Sequence, residues 1–148
     1  MILPKGRVLG IDAGTVRTGV ALSDTDGFLA SALCTVKANG IRSLAAEITR
    51  LAQEHAARLI VIGHPINMNG SLGESSARIH RLADEIRALT DVPVVLFDER
   101  CTTMVASSIL NITDTRGSKR KAIIDNLSAE IILQNYLDSE RRKSDINQ

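Results

Sequence analysis

A mixed α/β sheet with helices on its faces is the architecture this sequence predicts, and three observations predict it. Two apolar segments near the start, Val8 to Asp12 and Gly19 to Asp24, are separated by only a short turn, which suits an antiparallel pair of strands. Further along, stretches with helical spacing alternate with continuous apolar runs. The chain has 148 residues, 44% of them hydrophobic, enough to bury a core without disulfide or metal staples. A single domain over residues 1–138 is expected, followed by a polar, frayed tail over 139–148.

Each element has its own signal. Val8, Leu9 and Ile11 lead into Asp12, Gly14 punctuates the turn, and Val20, Ala21 and Leu22 begin the second strand. A third strand is expected from Phe28 to Val36, after the Asp26-Gly27 turn signal. Leu44, Ala45, Ile48, Leu51 and Ala52 recur at helical spacing within Ile41 to His55. Leu59-Ile60-Val61-Ile62, ended by Gly63, reads as a strand buried on both faces. A second amphipathic helix carries Ile79, Leu82, Ala83, Ile86 and Leu89, and Val92 to Phe97 is another buried strand. Thr102 or Thr103 is a suitable N-cap for a short helix through Val105 and Leu110, and Thr113 to Arg120 reads as a loop. The last helix is expected from Lys121 to Leu137.

Composition excludes several functional classes. A formal net charge of +1 is too small for general polyanion binding, so any such binding depends on local clusters. Cys34 and Cys101 match no zinc or redox spacing and read as free thiols in a reducing compartment. Met1 to Arg7 contain no apolar signal core, and no segment reaches transmembrane length, so a cytoplasmic protein with no membrane partner is expected.

Acidic residues recur where core elements end or begin. Asp12 closes an apolar strand, where a charge is costly unless a metal, a partner or hydrogen bonds compensate it. Asp98-Glu99-Arg100 terminates the run Val94 to Phe97, and strand alternation points Asp98 and Glu99 to opposite faces. Asp125 lies near the start of the last helix, where an acid also serves as a cap or complements the helix dipole. Acids on two strand ends and one helix start can converge on a pair of divalent cations. Hard oxygen donors suit magnesium or manganese better than zinc, and such a pair assists phosphodiester cleavage.

Basic and polar residues supply the other half. Arg116, Lys119, Arg120 and Lys121 lie in or beside the loop before Asp125 and can hold a phosphate backbone. Asn67, Asn69 and Ser71, in a turn-rich loop after a strand, can contact sugar or phosphate, although turn formation also accounts for them. Arg100 and Arg17 can reach a scissile phosphate or lock the acids by ion pairing. Phe28, Phe97 and Tyr136 are the only aromatic residues and read as packing residues, so a base-stacking platform is poorly supported.

Four blocks, in order, resemble the YqgF/RuvX family, bacterial proteins named as pre-16S rRNA nucleases and Holliday-junction-resolvase-like proteins. They are Gly10-Ile11-Asp12-Ala13-Gly14 through Ser23-Asp24, Gly63 to Ser71, Asp98 to Thr103, and Ile124-Asp125-Asn126-Leu127-Ser128-Ala129 through Leu137. The resemblance spans nearly the whole chain. It implies an RNase H-like fold, a mixed five-stranded sheet flanked by helices, with active-site acids Asp12, Glu99 and Asp125 and Asp98 as the alternate to Glu99. Asp12 would bridge two magnesium or manganese ions, with Glu99 and Asp125 each holding one side. The implied activity is hydrolysis of RNA phosphodiester bonds in precursor 16S rRNA, in a ribosomal context, leaving a 5′-phosphate and a 3′-hydroxyl. The chain departs from the family at His64 and Cys101, where apolar residues are common. Ser128 stands where related resolvases carry a fourth acid.

Three rivals remain. A Holliday-junction resolvase would prefer branched DNA, and a non-catalytic factor would bind ribosome precursors or a transcription complex without cleaving. Asp12-Ala13-Gly14-Thr15 also resembles the first phosphate loop of actin-like ATPases, but a domain of this length lacks the second lobe that clamps nucleotide.

Overall fold

The computed structural model describes residues 6–14, 16–64, 73–98 and 118–146; the side chains of residues 74, 75, 118–126 and 144–146 lie outside that description. Eight elements follow in order: β1 (Arg7–Ala13), β2 (Thr18–Ser23), β3 (Ala30–Val36), α1 (Ile41–Glu54), β4 (Ala57–His64), α2 (Glu74–Leu89), β5 (Val94–Asp98) and α3 (Ser118–Ile146). The strands form one sheet in the order β3-β2-β1-β4-β5. β2 pairs antiparallel with both β1 and β3, whereas β4 pairs in parallel with both β1 and β5. The carboxyl ends of β1, β4 and β5 therefore meet along one edge.

Period-two alternation divides the core. Leu9, Ile11, Ile60 and Ile62 join Leu44, Ile48, Ile79, Leu82 and Ile86 under α1 and α2. Val8, Ala21, Leu59 and Val61 join Ala129, Ile132, Leu133 and Leu137 under α3. The continuous apolar run of β4 is thus the signature of a strand covered on both faces.

Glycine is required at two positions on or beside β1. A Cβ on Gly10 would fall 2.7 Å from Leu133 Cβ, so α3 lies directly on the β1 backbone. Gly14 donates its N–H to the Arg17 carbonyl at 3.0 Å, and a Cβ there would meet that oxygen at 2.5 Å. The tight turn between β1 and β2 needs a residue without a side chain at this point.

Several boundaries differ from the sequence expectation. β3 begins at Ala30, because the Asp24 carboxylate accepts the N–H groups of Phe28 (2.8 Å) and Leu29 (3.3 Å) and holds them in the turn. Phe28 is 55% exposed rather than a core residue, with the Arg141 guanidinium 4.8 Å from its ring centre. β5 begins at Val94, not Val92. The last helix already includes Ser118 to Arg120, placed in a loop by the sequence, and it continues to Ile146 through much of the expected frayed tail. Its extension is tied down by Arg141, which pairs with Asp138 and donates to the Phe28 carbonyl at 3.1 Å. The short helix expected near Thr102 to Leu110 lies outside the described residues.

The seat of α3 on β1 gives a direct test. Gly10→Ala forces two covalently stiff groups apart, an overpacking cost of about 1–3 kcal/mol. Thermal unfolding should drop by several degrees, and Leu133→Ala in the same chain should not recover the loss, because alanine keeps the Cβ that the new methyl group meets.

Candidate active site at the carboxyl edge of the sheet

β1 is the central strand, and Asp12 is its penultimate residue, half-buried and paired in register with Gly19. Because Val8 and the Gly10–Leu133 contact face α3, alternation turns Asp12 to the α3 side. α3 runs antiparallel to β1. Gln134 accepts the Ala30 N–H at 2.9 Å and donates to the Phe28 carbonyl at 2.8 Å, and Leu137 lies beside Arg58 and Leu59 near the start of β4. The turns of α3 upstream of Leu133 consequently lead toward the edge that carries Asp12.

Asp98 belongs to the other face. In β5, Val95 and Phe97 pack with the α3 cluster, Phe97 meeting the Tyr136 ring edge-on at 5.8 Å, while Leu96 packs under α1 and α2. Asp98, next after Phe97, therefore turns to the α2 side, beside its register partner His64 on β4. Strand alternation thus separates Asp98 from Asp12.

His64 anchors this second group. Its Nε2 is 2.6 Å from the hydroxyl of buried Ser76 on α2, and its ring meets that of His80 edge-on at 5.0 Å. Burial chiefly, and the His80 charge next, hold the His64 pKa below its usual value, while the Asp98 charge opposes them. From the same helix Arg78 reaches the end of β1, Nη1 donating to the Ala13 carbonyl at 3.3 Å. The sequence marks His64 only as a departure from the family's apolar residue, and sequence reasoning missed Ser76, His80 and Arg78. The spacing of Ser76 and His80, four residues apart on an amphipathic helix, is the one local hint that they share a neighbour.

The remaining candidates are partly described. Lys119, Arg120, Lys121 and Asp125 belong to the first turns of α3, with backbone alone described. Glu99, Arg100, Asn67, Asn69, Ser71, Cys101 and Arg116 lie outside the described residues. Cys34 is a free, half-buried thiol whose pKa is raised by burial. Among the described residues no group of three His, Cys, Asp or Glu side chains is positioned to hold a metal ion, and no helix is long and apolar enough to cross a membrane.

The topology and the helix laid across β1 define an RNase H-like fold. Solved structures of the same fold include Thermus thermophilus RuvC in complex with a Holliday junction substrate, 15% identical and covering 92% of this chain and 96% of that one, with a TM-score of 0.58. The fowlpox virus Holliday junction resolvase matches 90% of this chain and 99% of its own at 10% identity, with a TM-score of 0.53. The family follows from the sequence. Residues 6–139 match the model described as "RuvX: Holliday junction resolvase", and the chain belongs to that family. Its relatives include two proteins that carry the name "Putative pre-16S rRNA nuclease". The one from Thermoanaerobacter pseudethanolicus is 38% identical over 138 residues, covering 93% of this chain and 99% of the relative. The one from Bacillus cytotoxicus is 40% identical over 136 residues, covering 90% and 99%.

The depressed His64 pKa makes stability depend on pH. The unfolded imidazole takes a proton near 6.5 and the folded one only at lower pH, so this contribution is complete above 6.5 and is lost as pH falls through the window below it. Thermal unfolding followed from pH 7.5 to 5.5 should show a falling midpoint, and His64→Gln should flatten that dependence. An equally steep profile in the variant would assign the effect to another group.

Proposed function

We propose that the chain is a metal-dependent ribonuclease that hydrolyses phosphodiester bonds of precursor 16S rRNA, with Asp12, Glu99 and Asp125 as its active-site acids. The observation that carries the reading is the position of Asp12 at the end of the central strand, on the face covered by α3. Position 125 of α3 is four residues before Ala129 and seven before Ile132, both buried against the sheet, so it falls on the sheet-facing stripe. It precedes Leu133 by about 12 Å along the helix, in the direction of the Asp12 edge. Alternation turns Asp98 toward α2 and away from Asp12, which favours Glu99 over Asp98 as the second acid.

Three carboxylates are an all-oxygen donor set that fits magnesium or manganese, and Asp12, Glu99 and Asp125 would hold such ions. A bound pair of these ions supplies Lewis acidity at the phosphoryl group. The chain's own groups do the rest. β1, flanked by strands on both sides, holds the Asp12 carboxylate rigidly, and Lys119, Arg120 and Lys121 at the start of α3, with Arg116, Arg100, Asn67 and Asn69, position the sugar-phosphate backbone. A water oxygen forms the new bond to phosphorus, the bond to the 3′-oxygen breaks, and that oxygen leaves protonated as the 3′-hydroxyl. Two family relatives named as pre-16S rRNA nucleases support ribosomal RNA as the substrate.

The test is cleavage of precursor rRNA, single-stranded RNA and a DNA four-way junction with magnesium or manganese, with and without chelator. Metal-dependent RNA cleavage is expected. Loss of several kcal/mol of transition-state stabilisation should lower the rate at least about 100-fold in Asp12→Asn and in Glu99→Gln. Asp98→Asn should stay within about tenfold of the parent. Full activity of Asp12→Asn removes the site assignment, junction cleavage alone makes the protein a DNA resolvase, and tight RNA binding without any cleavage makes it a non-catalytic factor. Lys119→Ala with Arg120→Ala should reduce the salt dependence of RNA binding by about 1.4 in log–log slope, two single-strand phosphate contacts.

A further inference from the structure

We infer that Arg78 on α2 is a phosphate-binding residue, holding the nucleic-acid backbone beside Asp12 from the opposite face of the sheet edge. No expectation from the sequence included it. Its guanidinium crosses from α2 to the end of β1 and donates through Nη1 to the carbonyl of Ala13, the residue after Asp12. Neighbouring residues of a chain are about 3.8 Å apart between Cα atoms, so this cation stands close to the proposed scissile site. That single bond uses one of the five N–H donors of a guanidinium, and no carboxylate pairs with Arg78 among the described residues.

The company it keeps points to an anion. Arg81, one turn on, is exposed and likewise pairs with no carboxylate among the described residues, whereas Arg87 at the far end of α2 is engaged by Asp84 at 3.4 Å and by the Val94 carbonyl at 2.9 Å. Asp98, the acid of this face, stands beside His64, which is locked to Ser76. A planar, half-buried fork fixed at one nitrogen loses less freedom on binding phosphate than a free surface lysine does. A backbone laid along the carboxyl edge would meet the acids from the α3 side and Arg78, then Arg81, from the α2 side. The identity of the polyanion rests on the proposed ribonuclease reading; the cation and its placement do not.

Binding measured without cleavage separates the two. The parent chain and its variants are titrated with single-stranded precursor rRNA in chelator across a range of salt. Arg78→Ala should bind about tenfold more weakly, the worth of one charge-assisted contact, and lose about 0.7 from the log–log salt slope. Arg78→Lys, which keeps the charge, should restore the slope, and Arg87→Ala should leave it unchanged. An unchanged slope in Arg78→Ala with a lowered unfolding temperature would make the residue a clamp on β1 and overturn the inference. So would an equal effect of Arg87→Ala, which would reflect net charge alone, and so would a parent that binds no RNA. A parent that binds with these slopes but cleaves nothing would remove the ribonuclease reading and leave Arg78 as assigned.

Discussion

The bare backbone of β1 at Gly10, pressed against Leu133 of α3, is the contact on which the rest of the arrangement depends. A helix is normally held off a sheet by the side chains of both; here one partner contributes none. The close approach fixes where α3 crosses β1, and the Gln134 bonds to Phe28 and Ala30 fix its direction. Any acid on the upstream turns of α3 is thereby carried toward the carboxyl edge. The glycine two residues before Asp12 is thus a long-range determinant of the proposed site, acting through a packing distance rather than through a turn.

That edge has two chemically different sides because neighbouring parallel strands alternate in phase. On the α3 side stands Asp12 with the apolar cluster of Val61, Phe97 and Tyr136 behind it. On the α2 side, His64 and Asp98 are register partners, held to α2 through Ser76. A shift of β5 by one residue would carry Asp98 to the opposite face, so the side of the sheet on which this acid stands is decided by strand register. The parallel pairing of β4 with β5, each buried in part on both faces, is what makes that register firm.

Much of this was legible in the sequence wherever one segment decides its own fate. Leu59 to Ile62 could only be a strand covered on both sides, and Asp12 at the end of an apolar run was conspicuous because a core charge is costly. What escaped were features created between distant segments. Phe28 and Leu29 look like strand residues, yet the Asp24 carboxylate takes their N–H groups into a turn. Residues 139–146 look like a frayed tail, yet Arg141 finds Phe28, more than a hundred positions away, and the helix continues. His64, Ser76 and His80 meet only because β4 and α2 pack together, and Arg78 becomes notable only when Ala13 is found under it.

A net charge of +1 looks unsuited to a polyanion until the pairing of the cations is followed through the fold. Arg50 lies between Glu47 and Glu54 on the far half of α1, Arg87 is held by Asp84, and Arg141 and Lys143 pair with Asp138 and Glu140. Each of these pairs joins residues three or four apart on one helix, where opposite charges cancel over a short distance and surface pairing is worth little in stability. Their electrostatic effect is to quiet the end of the molecule away from Asp12. Arg78 and Arg81, near the carboxyl edge, have no such carboxylate among the described residues, and Lys119, Arg120 and Lys121 begin the helix that leads to the same edge. A chain that is nearly neutral in sum can therefore concentrate its positive field along one line of the sheet, which is the condition for holding a phosphate backbone locally without binding every polyanion it meets.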